Sequence, residues 1–132
     1  MTAEKKGLIN ASINQRRCDL IKLTIPGRPV PKGRPRVVGR RAYTPAKTKQ
    51  AEAKIAVCAL AQGIKPIAGC VMMMCIFHYK GKGHADCDNL LKLVADAGQG
   101  IFYENDRQIL NLRGTILLQQ KEEKTEILVG KY

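Results

Sequence analysis

A continuous apolar segment at residues 67–78, with the sequence IAGCVMMMCIFH, constrains the fold of this chain more than any other feature. An apolar run of strand length, without polar alternation, is typical of a strand that protein covers on at least one face. The run from Ile67 to Phe77 is about half as long as the roughly 20 residues that span a bilayer, which argues against a transmembrane helix. We therefore expect a central strand of a sheet, in which the three consecutive methionines fill the core.

The flanking segments predict a small α/β (α+β) fold in the order β-α-β-α-β-β, with a mixed sheet and two helices packed on one of its faces. Residues 1–17 are polar and aperiodic, and they predict a loose arm before a single domain over residues 18–132. The first predicted strand covers Asp19–Ile25, and the first predicted helix has Thr44 as N-cap and Pro45 at its first position and ends near Gly63. The second predicted helix covers Asp88–Ala97 and turns four apolar residues toward the core: Leu90, Leu93, Val94 and Ala97. A final hairpin is predicted from Ile109–Gln119 and Thr125–Val129.

The chain is strongly basic, with 23 Lys and Arg residues against 11 Asp and Glu residues and a formal net charge of +12. Such an imbalance indicates a polyanionic partner, with nucleic acid the first choice and an anionic membrane surface the second. The membrane is disfavoured by the shortness of the apolar run. Since the N-terminal residues have no long apolar segment of the secretory kind, we expect a cytoplasmic protein.

The positive charge is concentrated in residues 27–45, here called the basic segment, whose sequence GRPVPKGRPRVVGRRAYTP is rich in Gly, Pro and Arg. This composition predicts an exposed loop. From Arg28 to Lys49, both included, there are eight basic residues and no acidic residue. Such a segment suits contacts to phosphate groups, which give affinity without reading bases; the alternative is a loop that is merely solvated. The candidate DNA contacts are Lys32, Arg34, Arg36, Arg40 and Arg41.

Carboxylates gather at the start of the second predicted helix, in the stretch DCDNLLKLVADA. Asp86 and Asp88 lie two residues apart there. Asp88, Lys92 and Asp96 follow one another on the polar face of the helix. Capping is one explanation, because aspartate is a preferred N-cap residue. Capping needs only one aspartate, however, and it does not explain the second aspartate or Lys92.

A second pair of acids occurs in the turn YENDRQI, which offers Glu104 and Asp106 immediately before the predicted hairpin. The simpler explanation is that Asn105-Asp106 is a common turn pair. If the turn folds back beside the helix start, three or four carboxylates converge, and an all-oxygen site of this kind suits Mg²⁺ or Mn²⁺. Such a metal would activate water for attack on a phosphodiester, and Lys92 would orient that water or balance the charge on the phosphate. The residues thus favour a metal-dependent enzyme that acts on nucleic acid.

Cysteine and histidine residues suggest a competing metal, because Cys75 and His78, followed by His84 and Cys87, imitate the spacing of zinc ligands. An odd separation along a strand points Cys75 and His78 to opposite faces, so we favour buried thiols instead. The five cysteines form no CxxC pair, which suits reduced thiols. His84 is near the acidic residues, and we expect a passive phosphate contact there rather than a proton shuttle.

Three segments in order, PGRPVPKGRPR, DCDNLLKLVADA and YENDRQI, resemble the RusA family of Holliday-junction resolvases, which occur in bacteria and their phages. The similarity covers nearly the whole chain from about Leu20 onward, and its most specific part is Asp-x-Asp-Asn-x-x-Lys followed four residues later by Asp. The resemblance implies a Mg²⁺-dependent endonuclease that works as a homodimer and nicks two opposed strands of a four-way DNA junction symmetrically. A C₂ dimer would present two identical sites to a junction of approximate two-fold symmetry.

The resemblance also assigns roles to single residues. The matching positions are Asp86, Asp88 and Asp106 for the catalytic metal-binding aspartates, Lys92 for the essential lysine, and Asp96 and Asn89 for supporting residues of the same motif. Where some members have two adjacent aspartates in the turn, this chain has Asn105-Asp106. Three strong ligands plus Glu104 remain, which leaves the number of metal ions open.

Three hypotheses about function follow from these patterns. The first is a junction-resolving endonuclease that uses carboxylate-held Mg²⁺, and the second is a nuclease that prefers another branched or flapped DNA. The third is a basic nucleic-acid-binding protein without catalysis, in which the aspartates are caps. The set of Asp86, Asp88, Lys92 and Asp106 separates the first two hypotheses from the third, because a binding protein has no need of it.

Overall fold

The computed structural model describes residues 20–34 and 36–132 of the chain. The predicted N-terminal arm and Asp19 of the first predicted strand lie outside these residues. In chain order the described elements are β1 Leu20–Pro26, β2 Arg36–Val38, β3 Arg41–Tyr43, α1 Ala46–Ala61, β4 Val71–His78, α2 Cys87–Ala97, a 3-10 turn Asp106–Gln108, β5 Ile109–Leu117 and β6 Lys124–Lys131.

Four strands form one mixed sheet in the order β1-β6-β4-β5, which confirms the predicted α+β fold. Strand β4 pairs antiparallel with β6 on one side and parallel with β5 on the other. The predicted final hairpin is therefore wrong, because β4 separates β5 from β6. Helix α2 provides the crossover that a parallel β4–β5 pair requires, and β6 then fills the place between β1 and β4.

The apolar run forms the central strand β4, as predicted, but the strand begins at Val71 rather than at Ile67. Gly69, two residues earlier, has a φ of +82°, which interrupts the extended backbone. Alternate residues of β4 are fully buried, and the residues between them are half-buried. The buried set is Val71, Met73, Cys75 and Phe77. One face of the strand therefore carries the core, and the methionines are divided between the two faces.

The two helices pack against each other, with α1 against β1 and α2 against β5. The predicted stripe of α2 is confirmed, because all four of its apolar residues are buried: Leu90, Leu93, Val94 and Ala97. The first helix begins one residue later than predicted, at Ala46, since Pro45 rather than Thr44 occupies the N-cap position. Within the part of the chain that the structure describes, no helix is long and apolar enough to cross a membrane.

The basic segment is not a loop throughout. Strands β2 and β3 pair antiparallel and form a short hairpin, which corrects the prediction of an exposed loop over these residues. The reversal runs through Gly39, whose φ of +63° suits glycine, and Arg40. The loop-like composition of this segment therefore gave no indication of the short β-hairpin that it forms.

Candidate active site

The first turn of α2 presents two exposed aspartates. Asp86 occupies the N-cap position with φ −65° and ψ 135°, yet its side chain accepts no capping hydrogen bond from the described backbone. The Oδ1 atom of Asp88 accepts a hydrogen bond of 2.9 Å from the backbone N–H of Asn89. Among the described residues, neither carboxylate pairs with a cationic side chain. Helix capping therefore does not account for the Asp86 carboxylate, which stays available to a ligand.

A close approach between α2 and the sheet positions this turn. A Cβ atom at Gly114 of β5 would lie 2.7 Å from the Cys87 Sγ atom and 2.8 Å from Leu91 Cδ1. The helix start can rest on β5 only because this residue has no side chain. Cys87 lies between Asp86 and Asp88 in the sequence, so the contact at Gly114 fixes the backbone that carries both carboxylates.

The prediction of buried thiols is confirmed for Cys75 alone, because Cys58 and Cys87 are half-buried and Cys70 is exposed. Cys75 pairs with Gly114 in the β4–β5 register and is fully buried. Burial raises the pKa of the Cys75 thiol to about 12, and the Cys87 thiol adds to that shift, so Cys75 remains protonated. His78 lies on the other face of β4, with Nε2 at 3.3 Å from Glu126 Oε2. Cys75 and His78 thus lie on opposite faces of β4, as predicted, which disfavours a zinc ion shared by the two.

The polar face of α2 continues with Lys92 and Asp96, one and two turns after Asp88. Lys92 is exposed and, in the described residues, forms no salt bridge. Asp96 is half-buried, and its Oδ2 atom lies 3.2 Å from the Nζ atom of Lys32. The free ammonium group of Lys92 is therefore the one that can serve a bound phosphate on this face.

Asp106 begins the 3-10 turn that leads into β5, and a capping box organises the turn. The Asn105 side chain accepts a hydrogen bond of 2.9 Å from the Arg107 N–H, and the Gln108 side chain accepts one from the Asn105 N–H. Sequence reasoning identified Asn105 as a turn residue but missed Gln108. The signal was present, because Asn-x-x-Gln has the spacing of a capping box.

Gln108 also ties this turn to the segment before β4. Its Oε1 atom accepts from the N–H groups of Glu104 and Asn105 at 2.8 and 3.0 Å. Its Nε2 atom donates to the carbonyl oxygens of Ile67 and Gly69 at 2.8 and 2.7 Å. All the usual hydrogen-bonding positions of the amide are used, so this one side chain fixes the position of the turn that carries Asp106.

A buried tyrosine joins the same turn to the end of α2. The Tyr103 hydroxyl donates a hydrogen bond of 2.6 Å to the Ala95 carbonyl oxygen. Burial, followed by the nearby carboxylate of Asp106, raises the pKa of this hydroxyl, which therefore keeps its proton and its role as a donor. Tyr103, three residues before Asp106, thus ties the segment that carries Asp106 to the last turn of α2.

The three predicted metal ligands do not form a ready cage. In residues 20–34 and 36–132, no three His, Cys, Asp or Glu side chains form a group that could hold a metal ion. The donor chemistry nevertheless fits a hard cation, because Asp86 and Asp88 are exposed carboxylates two residues apart, and neither pairs with a cation among the described residues. The common ligation of one ion by these two residues and Asp106 stays a prediction.

The basic segment contains both anchored and exposed cations. Arg28 lies 2.9 Å from Glu123 and stacks over the Tyr79 ring, with its guanidinium carbon 4.9 Å from the ring centroid. Lys32 pairs with acids of both helices. The exposed residues are Arg34, Arg40 and Arg41 together with Arg28, while the side chain of Arg36 lies outside the described part. His84 is exposed, with its Nδ1 atom 2.9 Å from the Ala85 carbonyl oxygen.

A family model described as endodeoxyribonuclease RusA matches residues 26–129. The chain belongs to this family. The match spans the basic segment, both helices, the Asp106 turn and most of β6, so all the candidate residues lie inside it. RusA proteins are endodeoxyribonucleases that act on Holliday junctions, and the chain is accordingly a nuclease. No curated protein matched the chain significantly.

We predict that Gln108→Leu destabilises the RusA fold of this chain by about 2 kcal/mol, because the four backbone groups that the Gln108 side chain binds would lose their hydrogen-bond partner. The midpoint of urea unfolding measures the loss. Gln50→Leu, at an exposed position of α1, is the matched control and should leave the midpoint nearly unchanged. Equal midpoints for the two variants would show that Gln108 does not hold the turn.

Proposed function

We propose that this chain resolves four-way DNA junctions by paired symmetrical nicks, as a Mg²⁺-dependent homodimer in DNA recombination and repair. One observation carries the proposal. The backbone N–H of Lys32 donates a hydrogen bond of 3.0 Å to the Asn89 carbonyl oxygen, which brings the basic segment next to the turn that carries Asp86 and Asp88. A phosphate bound by the segment would therefore be close to two available carboxylates.

In this proposal, DNA binding and phosphodiester cleavage depend on different residues. Arg34, Arg40 and Arg41 would hold phosphate groups without reading bases. Asp86 and Asp88 would bind Mg²⁺, or Mn²⁺ as its substitute, and Asp106 would be the third carboxylate. When bound, the metal would supply an activated water and stabilise charge on the leaving oxygen. Lys92 would neutralise charge on the phosphate under attack.

The ligand set has a test that does not depend on cleavage. Titration of Mn²⁺ by calorimetry should give measurable binding to the wild-type protein and at least roughly tenfold weaker binding to Asp86→Asn, Asp88→Asn and Asp106→Asn, since even the loss of an outer-shell partner has an effect of that size. Glu122→Gln, at an exposed acid of the β5–β6 connection, is the control and should bind as the wild type does. Unchanged Mn²⁺ affinity in Asp106→Asn would remove Asp106 from the ligands.

We expect cleavage of a labelled four-way junction in Mg²⁺ and its complete loss in EDTA, because no other group in the proposed site supplies an activated water. A flap and a linear duplex are incubated beside the junction. Paired nicks at symmetrical positions support the proposal, whereas preferred cutting of the flap would identify a different branched substrate. Equal cutting of the linear duplex, or binding without any cutting, would contradict it.

Homodimerisation has its own measurement. Two equal sites on a C₂ dimer would allow the paired nicks that one site on a monomer does not. Light scattering after gel filtration should give twice the chain mass of 14.6 kDa. A monomer at the concentrations used for cleavage would contradict this part of the proposal.

A further inference from the structure

Lys32 is held by two helices at once. Its Nζ atom lies 2.8 Å from Glu52 Oε1 of α1 and 3.2 Å from Asp96 Oδ2 of α2. Its backbone N–H donates to the Asn89 carbonyl oxygen in the first turn of α2. Only 22% of the side chain is exposed. No other cation of the basic segment among the described residues pairs with two carboxylates.

The charged groups around Lys32 hold its ammonium group in place rather than leave it free to bind DNA. Burial lowers the pKa of its ammonium group, but hydrogen bonds to Glu52 and Asp96 outweigh that effect and raise it. The ammonium therefore stays charged. Two carboxylates against one ammonium leave the trio with a net negative charge, which repels a DNA phosphate instead of attracting it.

The next residue is fixed as well. The backbone N–H of Gly33 donates a hydrogen bond of 3.0 Å to the Thr48 hydroxyl, and Thr48 is fully buried in α1. A Cβ atom at Gly33 would lie 2.8 Å from that hydroxyl oxygen. Arg34, one residue further, is exposed. The chain thus changes from an anchored to an exposed cation within two residues.

We propose that Lys32 is a positioning residue, which clamps the basic segment to α1 and α2 so that the DNA backbone bound by Arg34 and its neighbours lies in line with Asp86 and Asp88. The inference rests on the proposed nuclease function and changes the role of Lys32 from a direct phosphate contact to an indirect one. Loss of the clamp should slow the chemical step more than it weakens binding, because small misplacements of reacting groups are costly in rate.

A double-mutant cycle of Lys32→Met and Glu52→Gln tests the clamp on a four-way junction in Mg²⁺. With enzyme in saturating excess, each single variant should lower the single-turnover rate roughly tenfold. The double variant should be no slower than Lys32→Met alone, since both changes break one contact. Lys32→Arg, which keeps the charge and can reach both acids, should recover most of the rate.

Arg34→Met is the matched comparison in the same segment. It should weaken junction binding and reduce the magnitude of the negative slope of log affinity against log salt by about 0.9, as loss of one phosphate contact does. Lys32→Met should leave that slope unchanged. A shallower slope in Lys32→Met, with Glu52→Gln behaving as the wild type, would make Lys32 a phosphate contact and overturn the inference.

Hydrogen exchange provides a readout that does not need cleavage. The amides of Lys32 and Gly33 should exchange at least about tenfold faster in Lys32→Met than in the wild type, because the clamp protects their hydrogen bonds. Unchanged exchange would overturn the inference even if the wild type cuts junctions. If the wild type cuts no DNA but the exchange rises as expected, the clamp stands and the proposed nuclease function fails.

Discussion

Asp88→Asn is expected to reduce junction cleavage by about three orders of magnitude while the variant still binds the junction. The substitution keeps the size of the side chain but removes the charge of a proposed metal ligand from the helix turn that carries Asp86 and Asp88. Binding should survive because the proposed phosphate contacts of Arg34, Arg40 and Arg41 are unchanged. Single-turnover cleavage and gel-shift affinity of the same preparation measure the two effects.

The control must separate loss of chemistry from loss of fold. Asp88 lies in the first turn of α2, where a negative charge interacts favourably with the helix dipole. Its replacement should therefore cost only about 0.3–1 kcal/mol of stability, well below what would unfold the domain. Glu122→Gln removes an exposed acid of the β5–β6 connection, distant in sequence from Asp88, and this variant should cleave the junction as the wild type does. Full cleavage by Asp88→Asn would refute the assigned role of this aspartate.

Elements with a strong local pattern were predictable from the sequence. The spacing of Leu90, Leu93, Val94 and Ala97 fixes one face of α2, because helical periodicity is written into consecutive residues. The apolar run around β4 likewise predicts a covered strand without knowledge of its neighbours. In both cases burial follows from residues that are close together in the chain.

The pairing of β5 and β6 was not predictable in the same way. Two apolar segments joined by a short polar connection favour a hairpin locally. The structure instead inserts β6 between β1 and β4, because Ile127 and Val129 bury more completely there than an edge strand would allow. The long-range pairing of β6 with β1 and β4 therefore replaces the local β5–β6 hairpin.

The candidate site shows the same division. Asp86, Asp88 and Lys92 were found from their spacing on one helix. The contacts of Lys32 and Gln108 were missed. Lys32 pairs with Glu52, 20 residues away, and with the still more distant Asp96, while Gln108 binds carbonyl oxygens 39 and 41 residues away. Such tertiary hydrogen bonds have no periodic signature in the sequence, and only the fold brings the partners together.

Gly98 controls how the turn that carries Asp106 leaves α2. It occupies the C-cap position of the helix with a φ of −74°, which any residue adopts. A Cβ atom there would lie 2.6 Å from Phe102 Cδ2 and 2.7 Å from the Tyr103 hydroxyl oxygen. Both aromatic side chains are fully buried and cannot move aside. Glycine is therefore required by space rather than by backbone conformation.

Gly98→Ala is accordingly expected to lower the free energy of unfolding by about 2–3 kcal/mol, the range of an overpacked core. Urea denaturation measures the loss, and Gly83→Ala is the matched control, since among the described atoms nothing lies within 4 Å of a Cβ at that position. The control should be neutral or more stable by up to about 1 kcal/mol. Because Tyr103 precedes Asp106 by three residues, folded Gly98→Ala should also lose cleavage activity through displacement of the turn. Equal unfolding midpoints for the two alanine variants would show that Phe102 and Tyr103 can yield, and that Asp106 is held mainly by Gln108.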